Sequence, residues 1–364
     1  MHDDVGGAAM RAIVFEAIGR VSLEDRPEPR ILSPGDALVR VTAAGICGSD
    51  LNIVDGRDEG IRLGTIMGHE LVGVVEETGA GVSGISPGDR VVSPFSTSCG
   101  SCFFCARGLT ARCVDSQCFG VVGEDGRGLE GAQAELVRVP LASSTLVRLP
   151  AKKSDGSALR DEEAILLGDV LSTAWLAAER AEVKRGDVVA VIGCGPVGLL
   201  AVLAALRLGA SAVVAVDGVA YRRERARSLG ARPSAPELAC AAVDEHTDGR
   251  GADAVVEAVG SPPALDLAIA VARPGAIVSV AGYHTEAAYP LAMQSVYAKN
   301  LSFRFGRASA RAQIERLLPL LLDGSLTPAG IVTHGLPLSD GVRGYDIFRK
   351  REDGAIKVLL SPGA

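Results

Sequence analysis

Aromatic residues are scarce in this chain: one Trp, five Tyr and eight Phe make up 4% of its 364 positions. Val, Ala and Leu dominate an apolar share of 48%, and 44 Gly stand beside it, the balance expected where parallel strands alternate with helices. Positive charge is not in excess either. Lys and Arg number 37 against 44 Asp and Glu, for a formal net charge of −7, and the basic residues are scattered. That excludes the electrostatic footprint of a nucleic-acid partner or of an acidic membrane surface. No apolar run approaches the roughly 20 residues needed to span a bilayer. The first ten residues, MHDDVGGAAM, lack the basic, apolar and cleavage regions of a secretory signal. The expectation is a cytoplasmic protein in which residues 1–9 form a flexible extension and Met10 opens the first strand. Repeats and low-complexity tracts are also missing.

What is present reads as an α/β protein long enough for about two domains. Up to about residue 150, segments such as DALVRVTAAGICGSD, LVGVVEETGAGV and AELVRVP are short strands broken by Gly and Pro; residues 1–165 therefore form a β-rich domain with long loops. Over 166–305 the strands DVVAVIG, SAVVAVD, DAVVEAVG and AIVSVAG alternate with helical segments. That alternation specifies a doubly wound parallel sheet. The segment 306–364 carries the amphipathic stretch RAQIERLLPLLLDG and the strand GAIKVLLS, expected to return to the first domain.

Within the second domain, VVAVIGCGPVGLLAVLAALRLGASAVVAVD places Gly193-Cys194-Gly195-Pro196-Val197-Gly198 between an apolar strand and a helix, with Asp217 at the end of the next strand. This is a dinucleotide-binding context: Gly193 permits the tight turn, Gly195 lets the backbone approach a pyrophosphate at the helix N-terminus, and Gly198 allows close packing of helix on strand. Asp217 would bond the adenosine ribose hydroxyls and repel a 2′-phosphate, favouring NAD over NADP, while Arg222 and Arg223 beside it soften that preference. Cys194 reads as a small apolar filler.

Cysteine is concentrated: four of the eight fall within CGSCFFCARGLTARC, as Cys99, Cys102, Cys105 and Cys113. Two residues between thiolates let a tight turn aim both sulfurs at one point, and four thiolates complete a tetrahedral zinc site with no open position. In a reducing compartment such clusters are metal ligands rather than disulfides. The role expected is mechanical, cross-linking a loop with little core of its own. An iron–sulfur cluster is the rival reading.

A further set is dispersed: Cys47 in GICGSD, His69 in MGHELVG and Asp169 in LLGDVLSTAW. Here GHELVGVVEETGAGV resembles the zinc signature of medium-chain, zinc-dependent alcohol dehydrogenases. GICGSD, the four-cysteine loop, GCGPVG, VGSPPALDLAIAVARPGAIVSVAG and LPLSDGVRGYDIFRKREDGAIKVLL follow in that family's order, so the resemblance covers the chain from Met10 onward. It implies a GroES-like catalytic domain joined to a Rossmann domain, and two zinc ions per chain, one catalytic and one structural.

By that resemblance Cys47, His69 and Asp169 hold the catalytic zinc, with Glu70 an exchange ligand and Asp50 holding the other nitrogen of His69. Many members carry Cys at the third position; the Asp here is shared with some secondary-alcohol and aldehyde-handling relatives. The implied reaction is reversible hydride transfer between a primary or secondary alcohol and NAD, the metal charge stabilising the alkoxide. Ser49 takes the hydroxyl proton, but the family's relay histidine falls at Asn52, which does not titrate near neutrality. Thr173 is expected beside the nicotinamide, Lys357 at the pyrophosphate, and Phe95, Cys118 and Tyr283 around the substrate. Polyols, threonine-like amino alcohols and aldehydes stay open as substrates, as does a non-catalytic nucleotide-sensing role. By analogy alone the assembly is a homodimer or homotetramer.

Overall fold

The computed structural model describes residues 8–363. The chain divides into two compact units, Met1–Asp169 with Ser309–Ala364, and Val170–Ala308. Strand pairing begins at Ala9, which lies opposite Pro27 in an antiparallel hairpin, and Ala8 accepts a hydrogen bond from Glu28 N at 3.0 Å. The expected extension is therefore corrected at its last two residues, because the partner strand Arg20–Pro27 is long enough to hold them; residues 1–7 lie outside the described residues.

The first unit is built around a seven-stranded sheet in the order Val332–Pro337, Lys357–Ser361, Ala37–Ile46, Leu71–Thr78, Arg90–Ser93, Val147–Arg148, with Leu136–Val139 also on Ala37–Ile46. Strand Ala37–Ile46 organises it. Its first half pairs with Leu136–Val139, and its last three residues pair with Val358, Leu359 and Leu360. It is buried along nearly its whole length, as a strand covered on both faces must be. One face contributes Val39 and Val41 to a cluster with Leu71, Val91 and Phe119; another cluster gathers Ile46, Met67, Tyr345, Phe348 and Val358.

Site positions follow from this sheet. Cys47 immediately follows strand Ala37–Ile46, and His69 and Glu70 immediately precede the antiparallel strand Leu71–Thr78, in which Leu71 pairs with Ala44. Two segments distant in sequence thus bring three residues to one end of two neighbouring strands. Asp169 is brought there by the helical turns Asp161–Gly168. Gly168 O accepts from Phe95 N at 3.1 Å, and a Cβ on Gly168 would lie 2.4 Å from Ser93 O, so only glycine docks this closely.

The second unit is a six-stranded, wholly parallel sheet in the order Arg232–Ser234, Ala212–Val216, Val188–Ile192, Ala252–Glu257, Ala272–Val280, Ser302–Phe305. Counted along the chain this is 3-2-1-4-5-6, the dinucleotide-binding order, and the crevice at its switch point opens beside Val188–Ile192. All five residues of that strand are buried. Helix Pro196–Leu208, which follows it, is buried at Leu199, Leu200, Ala201, Val202, Ala204 and Ala205. Among the described residues no helix is long and apolar enough to cross a membrane.

Candidate active site and metal centres

In the first unit, donor atoms of Cys47, His69, Glu70 and Asp169 all lie within 4.8 Å of one another. Cys47 Sγ is 3.5 Å and His69 Nε2 is 3.4 Å from Asp169 Oδ2. With metal–ligand distances of about 2.0–2.3 Å, a tetrahedral zinc ion sets its ligand atoms about 3.3–3.8 Å apart, so this spacing fits one ion. The chemistry fits as well: a sulfur, an imidazole and a carboxylate converge, as in open catalytic sites with three protein ligands. Glu70 Oε2 is buried beside them with no hydrogen-bond partner.

His69 is aimed by its other nitrogen. Nδ1 meets Asp50 Oδ1 at 3.0 Å, which turns Nε2 toward the cluster and fixes the tautomer. Asp50 Oδ2 accepts from Cys47 N at 2.9 Å and from Gln133 Nε2 at 3.4 Å. Ser49 Oγ lies 3.3 Å from His69 Nε2, and the ring of Phe95 meets His69 edge-on at 6.5 Å. Burial works against charge here: it pushes the Cys47 thiol up, with Asp169 adding to the rise against the pull of Lys357. For His69 burial acts downward, but the charge of Asp50 and bonds to Asp169 and Asp50 carry it well above the usual imidazole value. A divalent cation reverses the local preference for protonated donors, since a coordinated thiol is deprotonated outright.

Lys357 overturns its expected role at the pyrophosphate. It is fully buried in strand Lys357–Ser361, and its Nζ is 2.5 Å from Glu70 Oε1, also fully buried. The physical reason is desolvation: an ammonium enclosed at this depth requires a carboxylate, and Glu70 is in reach. Burial would lower the Lys357 ammonium, but the charges of Glu70 and Cys47 leave it raised. Burial also raises the Glu70 carboxyl, partly countered by Lys357. A neutral Glu70 would strand a buried ammonium.

The cysteine lobe forms a second convergence, with the sulfurs of Cys99, Cys102, Cys105 and Cys113 within 4.8 Å of one another. Cys99 N donates to Cys113 Sγ at 3.1 Å and Cys105 N to Cys102 Sγ at 3.5 Å. Backbone N–H groups, that of Cys105 first, hold Cys102 down at about 6, while burial leads in pushing Cys105 up to about 12. Four sulfur donors leave no position for substrate. Outside the cluster much of the lobe is solvent-exposed, with Phe103 at 62% and Val114 at 69%, and only Thr110 and Ala111 are buried. It has little apolar core, as a metal-clipped loop should.

In the second unit, Gly193 adopts φ +93°, Gly195 is the N-cap and Pro196 the first residue of helix Pro196–Leu208. A Cβ on Gly198 would lie 1.8 Å from Gly193 O, whereas one on Gly195 would meet nothing within 4 Å. The first glycine is demanded by the fold; the second leaves a cradle that a ligand can enter. Val197 continues the helix. Asp217 Oδ2 accepts from Cys194 N at 2.8 Å and Oδ1 from Val219 N at 2.8 Å, which leaves further lone pairs on each oxygen. Arg222 Nη1 is 3.9 Å from that carboxylate, and Arg223 donates to Asp217 O. Cys194 is fully buried, and burial followed by the Asp217 charge pushes its thiol up to about 12.

Thr173 lies half-buried on helix Val170–Arg180, and Tyr283 is 49% exposed on the loop after strand Ala272–Val280; both belong to the second unit. Cys118 is half-buried and bridged to Ser96, one residue from Phe95. Asn52 is buried and its carbonyl accepts from Arg57 N and Asp58 N. Sequence reasoning passed over Gln133 and Tyr345. Gln133, fully buried between two alanines in GAQAEL, and Tyr345 carry no local signal except a polar residue in an apolar setting.

Comparison with known proteins agrees with this arrangement. Residues 33–151 match the alcohol dehydrogenase GroES-like domain family and residues 196–323 the zinc-binding dehydrogenase family. The chain is 39% identical to zinc-type alcohol dehydrogenase B of Aspergillus flavus, over 97% of this chain and 82% of that protein. It is 31% identical to an L-threonine 3-dehydrogenase of Bacillus velezensis, over 98% and 100%. Among solved structures, an alcohol dehydrogenase of Thermus sp. ATN1 superposes with a TM-score of 0.89 at 43% identity, covering 97% of this chain and 99% of that one. A GroES-like unit carrying a convergent Cys, His and Asp, a four-cysteine lobe and a 3-2-1-4-5-6 parallel sheet make this chain an oxidoreductase of the zinc-type, medium-chain alcohol dehydrogenase family.

Proposed function

We propose that the protein transfers hydride reversibly between a primary or secondary alcohol and NAD, with zinc held by Cys47, His69 and Asp169 and a second zinc held by the four cysteines. The observation that carries this reading is the convergence of the three dispersed donors, with Cys47 Sγ and His69 Nε2 each 3.4–3.5 Å from Asp169 Oδ2 and Glu70 beside them as an exchange ligand. Zinc, when bound, supplies Lewis-acid polarisation of the substrate oxygen. The chain's own residues do the rest. Asp50 keeps His69 Nε2 directed at the metal, Ser49 Oγ accepts the hydroxyl proton, and Phe95 and Cys118 limit the space beside His69. With Asn52 where relatives place a histidine, the proton leaves through water. The reaction balances as alcohol plus NAD⁺ giving carbonyl, NADH and a proton.

Gly193, Gly195, Pro196, Val197 and Gly198 cradle the pyrophosphate, Asp217 receives the adenosine ribose hydroxyls, and Thr173 lies at the nicotinamide end. Asp217 favours NAD because a 2′-phosphate would meet a carboxylate. An amino alcohol is the second reading, supported by the L-threonine 3-dehydrogenase relative. A homodimer or homotetramer is supported by the edge strand Ser302–Phe305 and by the exposure of Phe305, Tyr297 and Met293.

The test is absorbance at 340 nm with NAD or NADP and a panel of alcohols, polyols, threonine and aldehydes, before and after chelation. Turnover that chelation abolishes is expected, together with about two zinc ions per chain and about one in Cys105→Ser, which should lose stability before chemistry. A metal-loaded protein that turns over none of these would favour nucleotide sensing and overturn the proposal.

A further inference from the structure

Behind the dispersed donors of the first unit stands a buried polar chain that the reaction itself does not use. Tyr345, on helix Gly341–Lys350, donates its hydroxyl to Gln133 Oε1 at 2.9 Å across 212 residues of sequence. Gln133 Nε2 in turn donates to Gly45 O at 2.9 Å and reaches Asp50 Oδ2 at 3.4 Å. Asp50 then touches two of the three donor residues at once, His69 through Nδ1 and Cys47 through its backbone N–H. Gln133 is 0% exposed, Asp50 1% and Tyr345 4%, so water does not replace any of these contacts.

Gln133 is also held by its main chain. Its N–H donates to Met67 O at 2.9 Å, its carbonyl accepts from Ile13 N at 2.8 Å, and Ala132 N donates to Gly68 O at 2.9 Å. Gly68, the residue before His69, has φ +90°, and a Cβ there would lie 2.4 Å from Gln133 Cγ. The glutamine side chain is therefore pressed against the backbone that carries His69. An amide suits the place for a chemical reason: its oxygen accepts the hydrogen bond from Tyr345, so its two N–H bonds face the Gly45 carbonyl and the Asp50 carboxylate. It steadies Asp50 without neutralising it. Burial, then the charge of Asp50, raises the Tyr345 hydroxyl well above its usual range, which keeps it a donor.

We propose that Gln133, oriented by Tyr345, is a positioning residue for the metal centre: it fixes the rotamer of Asp50, and through Asp50 the approach of both His69 and Cys47 to the ion. The proposal rests on the reading that Cys47, His69 and Asp169 hold zinc. Partners that touch a ligand directly are worth about 10–100-fold in metal affinity; one step further out, a several-fold effect is expected.

The experiment follows zinc release from the full-length protein to a chromophoric chelator, alongside thermal unfolding. Wild type should release zinc in two phases, and Cys105→Ser identifies the phase belonging to the cysteine lobe. Gln133→Met keeps the volume but donates nothing; Gln133→Glu still accepts from Tyr345 but sets a carboxylate against Asp50; Tyr345→Phe removes one hydroxyl. The dispersed-site phase should quicken in all three, most in Gln133→Glu and on the order of tenfold in Gln133→Met, with the cysteine-lobe phase unmoved. Unchanged release in all three variants overturns the proposal while leaving the zinc reading intact. So does acceleration of both phases together with a lowered melting point in Tyr345→Phe, which would show general loosening. A wild type that releases only the cysteine-lobe zinc refutes the metal reading itself, and this proposal with it.

Discussion

Gly195→Ala separates a nucleotide cradle from an ordinary glycine turn. Gly195 has φ −72° and ψ −173°, a backbone that alanine adopts freely, and its added Cβ would meet no protein atom within 4 Å. The fold should tolerate the change or gain about 0.4–1 kcal/mol, because alanine restricts the unfolded chain. The cofactor should not tolerate it. The same Cβ fills the space through which a pyrophosphate oxygen approaches the helix N-terminus, removing at least one charge-assisted backbone hydrogen bond worth about 1.5–3 kcal/mol. That corresponds to weakening of about tenfold to a hundredfold in Kd for NADH, readable by fluorescence titration. Gly198→Ala is the control with the opposite signature. Its Cβ would stand 1.8 Å from Gly193 O, so helix Pro196–Leu208 must shift, at about 1–3 kcal/mol of stability. Unchanged NADH affinity in Gly195→Ala, with its melting point intact, would refute the cradle.

Two further outcomes test the ion pairs. Lys357→Met should destabilise the protein by about 3–5 kcal/mol in urea unfolding, because it leaves Glu70 charged and buried, and adding Glu70→Gln should recover much of the loss; a stable single variant would refute the charged pair. At Asp253, burial acts to raise the carboxyl, but the Val188 N–H and Arg273 outweigh it and the group is held below the ordinary carboxylate value. Its contribution is present above that ordinary value and is lost as pH falls through the depressed one. Asp253→Asn should therefore flatten the fall in stability below about pH 4, and an unchanged acid limb would contradict this.

Patterns that depend on neighbours in sequence were legible before any coordinates. The period of apolar residues, the GCGPVG turn opening an apolar helix and the two-residue spacing of Cys99, Cys102 and Cys105 are local, and the parallel sheet and the sulfur cluster follow them. The dispersed donors were legible only through resemblance, since nothing in GICGSD, MGHELVG or LLGDVL indicates that the three will meet.

Lys357 shows where resemblance fails. Matching AIKVLL to relatives places a cation at the pyrophosphate, and only the sheet, which seats that strand beside Ala37–Ile46, turns the lysine inward onto Glu70. Gln133 and Tyr345 were silent for the same reason, because a buried hydrogen bond across 212 residues has no local signature. The sequence by itself determined which segments become strand, helix, glycine turn and cysteine clip, since these are settled by contacts within a few residues. Tertiary structure alone decided which polar groups lose water together, and desolvation then paired Lys357 with Glu70 and Gln133 with Tyr345 and Asp50.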